Sequence, residues 1–170
     1  LSKYDRETLF NSESISISTE IRTEGIAITI DNEDNIYVTG NTDSALVPNI
    51  DSEDIGQSDV WIAKYRNGAS GLEQVWIRQF GLNEFDGAMD ITTDNEGNIF
   101  VTGETLGAEG GGIPGEEYVW LSKYQANGDL LWTRQIDSSL GDLPQGVTTD
   151  DSGNVYLTGD NNEEGQNDVF

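Results

Sequence analysis

The 170-residue chain has no cysteine and no histidine. Without cysteine there is no disulfide, no thiolate nucleophile and no sulfur-ligated metal. Without histidine the usual general base and the commonest transition-metal ligand are missing. A Ser-His-Asp triad, a papain-like Cys-His pair and a His-based zinc site are therefore excluded. Basic residues are scarce: 8 Lys and Arg stand against 32 Asp and Glu, a formal net charge of −24. Such a chain repels phosphate backbones and anionic lipid surfaces, so neither nucleic acid nor membrane insertion is expected; cations are favoured. No apolar run approaches the roughly 18 residues that span a bilayer. The chain opens on Leu-Ser-Lys-Tyr with neither an initiating Met nor a signal peptide, and it is expected to be a processed product or an excised piece.

Self-similarity is what the sequence has in abundance. "DNEDNIYVTG" at 31–40 returns as "DNEGNIFVTG" at 94–103 and "DDSGNVYLTG" at 150–159. "LSKY" at 1–4, "IAKY" at 62–65 and "LSKY" at 121–124 are spaced by 61 and 59 residues. "VWIRQF" at 75–80 matches "LWTRQI" at 131–136. A fixed period of this size marks a repeat architecture. The units are 1–61, an atypical first repeat that starts inside a unit, then 62–120, then 121–170, which ends inside one.

Each unit reads as four short strands. In "NVYLTG" Val155 and Leu157 point one way, Tyr156 and Thr158 the other. "YVWLSKY" at 118–124 is a third strand, and "QANGD" turns it into a fourth, "LLWTRQI"; Asn-Gly between β-rich runs is a hairpin signal. In "DNEGN", Asp94 is placed to accept backbone N–H groups two residues on, and Gly97 to take a left-handed conformation. The first copy has Asp34 at that glycine position, a residue that tolerates the conformation better than most. Turn chemistry is the leading reading of these carboxylates and a calcium role the alternative. Repeated four-stranded antiparallel units with no helical periodicity predict an all-β fold of β-propeller blades, about three of them. A β-solenoid is the other candidate. Each sheet would be apolar on both faces, with Trp61, Trp120 and Phe170 beside Val60, Val119 and Val169, and small residues, Ser2, Ala63 and Ser122, where sheets approach.

These residues resemble the bacterial seven-bladed β-propeller repeat family, whose pattern runs G-I-x-x-D-x-x-G-N-V-Y-V-T-G, a variable loop, D-A-W-V-A-K-Y, N-G and a Trp-bearing strand. Gly146 to Gly159 and Val119 to Gln135 carry the likeness best. The resemblance implies a large exported or surface-attached bacterial protein, hence a secreted or cell-surface location. It carries no catalytic residue over. The first repeat departs from the pattern, with "TLFNSESISIST" where the Trp-Arg strand belongs. Three repeats are too few to close a ring, so a segment of a longer array is expected, with a ring of two copies as the alternative.

The functional expectation is a non-enzymatic scaffold that binds a protein or glycan through loops on one face, with further propeller repeats of the same or a second chain as neighbours. The loops between second and third strands are the longest, and rigid sheets that present variable loops suit binding. Binding-face candidates are Asp51, Glu53 and Asp54 in "NIDSEDIGQSD", and Glu84 and Asp86 in "GLNEFDG". Asp160, Asn162 and Glu164, followed by Gly165, have the alternate oxygen ligands and the glycine that open a calcium loop, so calcium is the one cofactor expected. "GAEGGGIPGEE" at 107–117 lacks the Lys and Ser/Thr of a phosphate loop. The competing expectation is a glycoside hydrolase or lyase with paired carboxylates such as Asp86 and Asp142. Trp76 and Trp132 are expected to pack in the core. Arg78 and Arg134 are expected to pair with acidic groups, and Lys3, Lys64 and Lys123 to hold their ammonium groups at the surface.

Overall fold

A computed structural model describes residues 1–4, 11–14, 22–46, 57–81, 85–106, 118–136, 143–163 and 166–169. All its regular elements are strands: β1 (Ser2–Tyr4), β2 (Asn11–Ser14), β3 (Thr23–Ile30), β4 (Ile36–Thr42), β5 (Asp59–Gly68), β6 (Gly71–Phe80), β7 (Asp86–Thr93), β8 (Ile99–Thr105), β9 (Tyr118–Tyr124), β10 (Leu130–Ile136), β11 (Leu143–Thr149), β12 (Val155–Glu163) and β13 (Gln166–Val169). They form antiparallel sheets in chain order: the pair β1–β2, blade 1 (β3–β6), blade 2 (β7–β10) and the three-stranded blade 3 (β11–β13). Residues 61/62 and 120/121, where the sequence repeats meet, fall inside the third strands β5 and β9.

The recurring Asp-x-x-Gly-Asn run folds as the link between first and second strands. Asp94 accepts the N–H groups of Glu96 and Asn98 at 3.0 and 2.8 Å and the Asn98 side-chain amide at 2.7 Å. Asp31 and Asp150 do the same in their copies. Gly97 and Gly153 are left-handed, at φ 79° and 81°, and Asp34 takes the same conformation at φ 61°. The turn geometry thus overrides the steric cost of a Cβ at position 34.

The Thr-Gly pair at the end of each second strand has a packing cause. Thr39 and Thr102 are buried and donate their hydroxyls to the Trp61 and Trp120 carbonyls at 3.0 and 2.8 Å. The Trp indole then lies across the glycine. A Cβ on Gly40 would come 2.7 Å from Trp61 Cζ2, and one on Gly103 would come 2.5 Å from Trp120 Cζ2. Each indole N–H crosses to a carbonyl, Asn41 or Glu104, at 3.2 or 3.0 Å. Thr, Gly and Trp are one packing unit written in two strands.

The blades stack face to face, with β7 on β3, β4 and β5, and β11 on β7, β8 and β9. Each first strand carries an irregularity at the same place, between Gly25/Ala27, Ala88/Asp90 and Pro144/Gly146. Beside it, a first-strand N–H leaves its own ladder for the blade before it: Ala88 N–H donates to Asn41 Oδ1 and Val147 N–H to Asp90 Oδ2, both at 2.8 Å. Re-aiming a backbone group in this way is what a bulge does. Around these bonds the core of the blade 1–blade 2 joint is apolar, with Tyr37, Val60 and Ile62 meeting Ala88, Ile91, Ile99 and Val101. Phe100 and Leu121 meet Val147, Val155 and Leu157 at the next joint. Ala63 and Ser122 are buried as the small-residue pattern requires, whereas Ser2 is exposed because it sits in the two-stranded pair. Phe170 and the side chain of Val169 lie outside what is described.

Two expectations about charge are corrected. Arg78 and Arg134 stack over the indoles of Trp76 and Trp132, 5.5 and 5.6 Å from the ring, and donate to backbone carbonyls. Two residues along a strand point the same way, so the guanidinium meets its own strand's Trp face before any carboxylate. Lys64 and Lys123 do not reach freely into solvent. Lys64 sits over Tyr37 and donates to the Ala126 carbonyl at 3.4 Å. Lys123 sits over Phe100, 3.7 Å from the buried Asp94 carboxylate.

The turn carboxylates make the fold acid-sensitive in a defined window. At Asp150 the bonds from the Asn154 amide and backbone, with smaller help from Tyr156 and Ser152 against desolvation, hold the carboxyl down at about 2. At Asp31 burial opposes the charge, but bonds from Asn35, Glu33 and Tyr37 outweigh it and the carboxyl is lowered. A carboxyl lowered on folding adds stability above its unfolded value, about 3.9, and that stability is lost as pH falls toward the folded value. Relief of the −24 charge acts in the opposite direction on acidification. The comparison that isolates the effect is wild type against Asp150→Asn in urea unfolding. The gap between their midpoints should hold at pH 5–7 and close between about pH 4 and 2; a gap that widens on acidification contradicts the assignment.

Candidate functional site

The joint between blades 1 and 2 opens toward the end of the sheets that carries the long loops. β5 begins there with Asp59, which is fully buried. Its carboxylate accepts from Gln79 Nε2 at 2.7 Å, and Gln79 also donates to the Ser44 carbonyl at 3.0 Å and accepts from Leu46 N–H at 2.7 Å. A side chain on the fourth strand thus clamps the loop that leaves the second. On the blade 2 side, Asp86 N–H donates to the Ser58 carbonyl at 2.8 Å and Leu106 N–H to the Phe85 carbonyl at 3.0 Å. This ties the start of β7 to both blades. Gly81 lies between the two carboxylates: a Cβ there would strike Asp59 and stand 3.1 Å from Asp86 Oδ2.

From Asp86 a cavity of about 150 Å³ runs outward between the blades. One wall is aromatic. Phe80 of β6 meets Trp120 edge-on at 5.7 Å and Tyr124 at 5.6 Å. Burial pushes the Tyr124 phenol up, so it is a neutral hydroxyl at physiological pH. The remainder of the lining includes Asp86, Thr105, Thr133 and Gln135. This volume, below the about 300–1,000 Å³ of drug-sized sites, has room for one ring or one side chain. The matching face of blade 1, Trp61, Ala63 and Tyr65, is packed by Leu46 and Leu1.

Of the residues singled out from the sequence, Asp86 belongs to this site, where it is buried against the joint. Asp51, Glu53, Asp54, Glu84, Asp142 and Glu164 lie outside the described residues. Asp160 pairs across the ladder with Leu143 and accepts a hydrogen bond from the Gln145 amide. Asn162 continues β12 opposite Asn167. Among the described residues, no three acidic side chains come together as a metal-binding group. Sequence reading missed Asp59, Gln79 and Gly81. The available signal was an aspartate directly before the apolar run Val60–Ala63, at a position where repeat 2 has Tyr118 and repeat 3 has Asp168.

Four-stranded antiparallel sheets, stacked through their first strands and splayed at their outer ones, are the blades of a β-propeller. A model of the beta-propeller repeat (SBBP) matches at residues 17–46, 75–110 and 131–163, more than half of the chain, and the chain belongs to that family. A search of curated proteins finds no match.

Proposed function

We propose that the chain is a non-enzymatic propeller scaffold that binds a protein or glycan at the loop end of its blades, with the groove between blades 1 and 2 as an anchor point. The observation that carries this reading is the groove itself: an aromatic wall of Phe80, Trp120 and Tyr124 faces a polar rim of Asp86, Thr133 and Gln135. Aromatic faces stack on sugar rings or apolar side chains, and the rim supplies orienting hydrogen bonds. The volume of about 150 Å³ indicates a group no larger than one ring or one side chain. The likeness to exported bacterial repeat proteins supports a place outside the cell, where calcium would be available to the acidic loops.

The test is a glycan array and a peptide array, each run with and without millimolar calcium, followed by titration of any hit. Gln135→Ala and Asp86→Asn should each weaken binding about tenfold, the loss of one buried hydrogen bond to a ligand. Hits that ignore both substitutions would place binding elsewhere. Turnover of an acidic polysaccharide that Asp86→Asn abolishes would replace the scaffold with a glycoside hydrolase or lyase. A requirement for calcium that Asp160→Ala removes would assign the ion to β12.

A further inference from the structure

We propose that the groove between blades 1 and 2 takes an arginine side chain from a basic segment of a partner protein. The inference rests on the reading of this groove as an anchor point and names the group that fills it. The other rings of the molecule supply the first argument. Lys64 lies 5.2 Å from the Tyr37 ring, Arg78 5.5 Å from Trp76, Lys123 4.9 Å from Phe100 and Arg134 5.6 Å from Trp132. A cation over a ring face is drawn there by the ring's quadrupole. Phe80, Trp120 and Tyr124 instead meet one another, and among the described residues no Lys or Arg lies over any of the three. The other described cations are engaged elsewhere: Lys3 with Asn67, Arg22 with Glu24 and Arg66 with Glu73. The partner supplies the cation that this cluster lacks.

The order of the lining gives the second argument. Along the β9–β10 pair, Tyr124 stands opposite Leu130 at one end of the groove and Trp120 opposite Gln135 at the other. Leu130 is exposed, and the apolar length begins there. The Trp120 end closes on the buried Asp86 carboxylate. Gly81 brings a second buried carboxylate, Asp59, close behind it. An apolar length that ends on negative charge matches a methylene stem with a cationic head.

Arginine fits this site better than lysine for three reasons. Asp86 is already out of water, so binding desolvates chiefly the incoming head group, and guanidinium is more weakly hydrated than ammonium. Its planar face stacks on a ring while its N–H fork reaches a carboxylate, a combination that a point charge does not offer. The chain itself uses arginine wherever it covers an indole, at Trp76 and at Trp132. The net charge of −24 draws basic segments toward the groove and repels acidic ones.

The test uses glycine-rich peptides that are identical except for a central arginine, lysine, citrulline or alanine, titrated into the full chain at low salt and followed by calorimetry. Citrulline keeps the shape of arginine and removes its charge. The arginine peptide should bind about tenfold more tightly than the citrulline peptide, and more tightly than the lysine peptide. Asp86→Asn should abolish the preference for arginine over citrulline. Phe80→Leu keeps apolar bulk, removes the ring and should weaken the arginine peptide about fivefold. Circular dichroism checks that both variants keep their sheets, and the arginine–citrulline comparison on the wild type needs neither. Equal binding of arginine and citrulline, or of arginine and lysine, overturns the proposal. So does an arginine preference that survives Asp86→Asn, or the absence of saturable arginine binding at millimolar peptide. Glycan or neutral-peptide hits that Gln135→Ala weakens, without any arginine preference, strike the occupant and leave the anchor point standing. Indifference of every probe to Gln135→Ala and Asp86→Asn strikes the groove itself, and the proposal with it.

Discussion

Gly103→Ala will destabilise the protein by about 3 kcal/mol or more, near the upper range for overpacking. The added Cβ meets the Gly87 carbonyl on one side and Trp120 Cζ2 at 2.5 Å on the other. Neither can yield cheaply. The Gly87 carbonyl is main chain beside the paired Ala88 and Gly103, and Trp120 is pinned by its indole bond to Glu104 and by Phe80. A domain with about 5–15 kcal/mol in hand loses a large share of it. Urea unfolding followed by Trp fluorescence reads the loss directly. Gly153→Ala is the control, because nothing lies within 4 Å of its Cβ and only the left-handed φ of 81° is penalised, at about 1 kcal/mol. Equal midpoint shifts for the two variants would show that close approach at Gly103 is not what the glycine provides.

Asp94→Ala will cost about 3 kcal/mol, because one buried carboxylate holds four groups. The Glu96 and Asn98 N–H groups, the Asn98 amide and the Lys123 ammonium all converge on it. Its counterparts differ in one respect: Tyr37 and Tyr156 give Asp31 and Asp150 a phenolic donor, whereas Phe100 has none and the Lys123 pair serves instead. Asp150→Ala should therefore cost less than Asp94→Ala, since its turn is exposed and water can replace the lost acceptor. Asp94→Asn keeps an acceptor for the N–H groups and should recover part of the loss. Thermal unfolding of the three variants orders them, and a ranking with Asp150→Ala as the most damaging would contradict the burial argument.

The turn and the strand pattern were legible in the sequence because each is set within ten residues. Asp94, Gly97 and Asn98 need only one another, and β9 and β10 coincide with the runs "YVWLSKY" and "LLWTRQI". Contacts that depend on a second blade left weaker traces. The bulge at Ala88/Asp90 appears only when β7 is set against β8, and the Asn41 side chain that receives the freed N–H is 47 residues away. The partners of Arg78 were misjudged because an acidic composition suggests carboxylates everywhere, while strand geometry puts the Trp76 ring nearer. The groove needed both Phe80 of one blade and Trp120 of the next, and each alone reads as ordinary core. Asp86 was found because it stood in an acidic loop, but its burial followed from a main-chain bond to Ser58 that no local pattern announces.

The repeat boundaries at 61/62 and 120/121 fall in the middle of third strands, each directly after a tryptophan. Joining Trp61 to Leu121 by deletion of the intervening stretch would restore an uninterrupted strand with the indole, the small residue and the lysine in their usual order. The face left behind would be the one that the lost unit presented. A chain shortened in this way should therefore keep the Asp-x-x-Gly-Asn turn and the Thr-Gly-Trp packing unit in the units that remain.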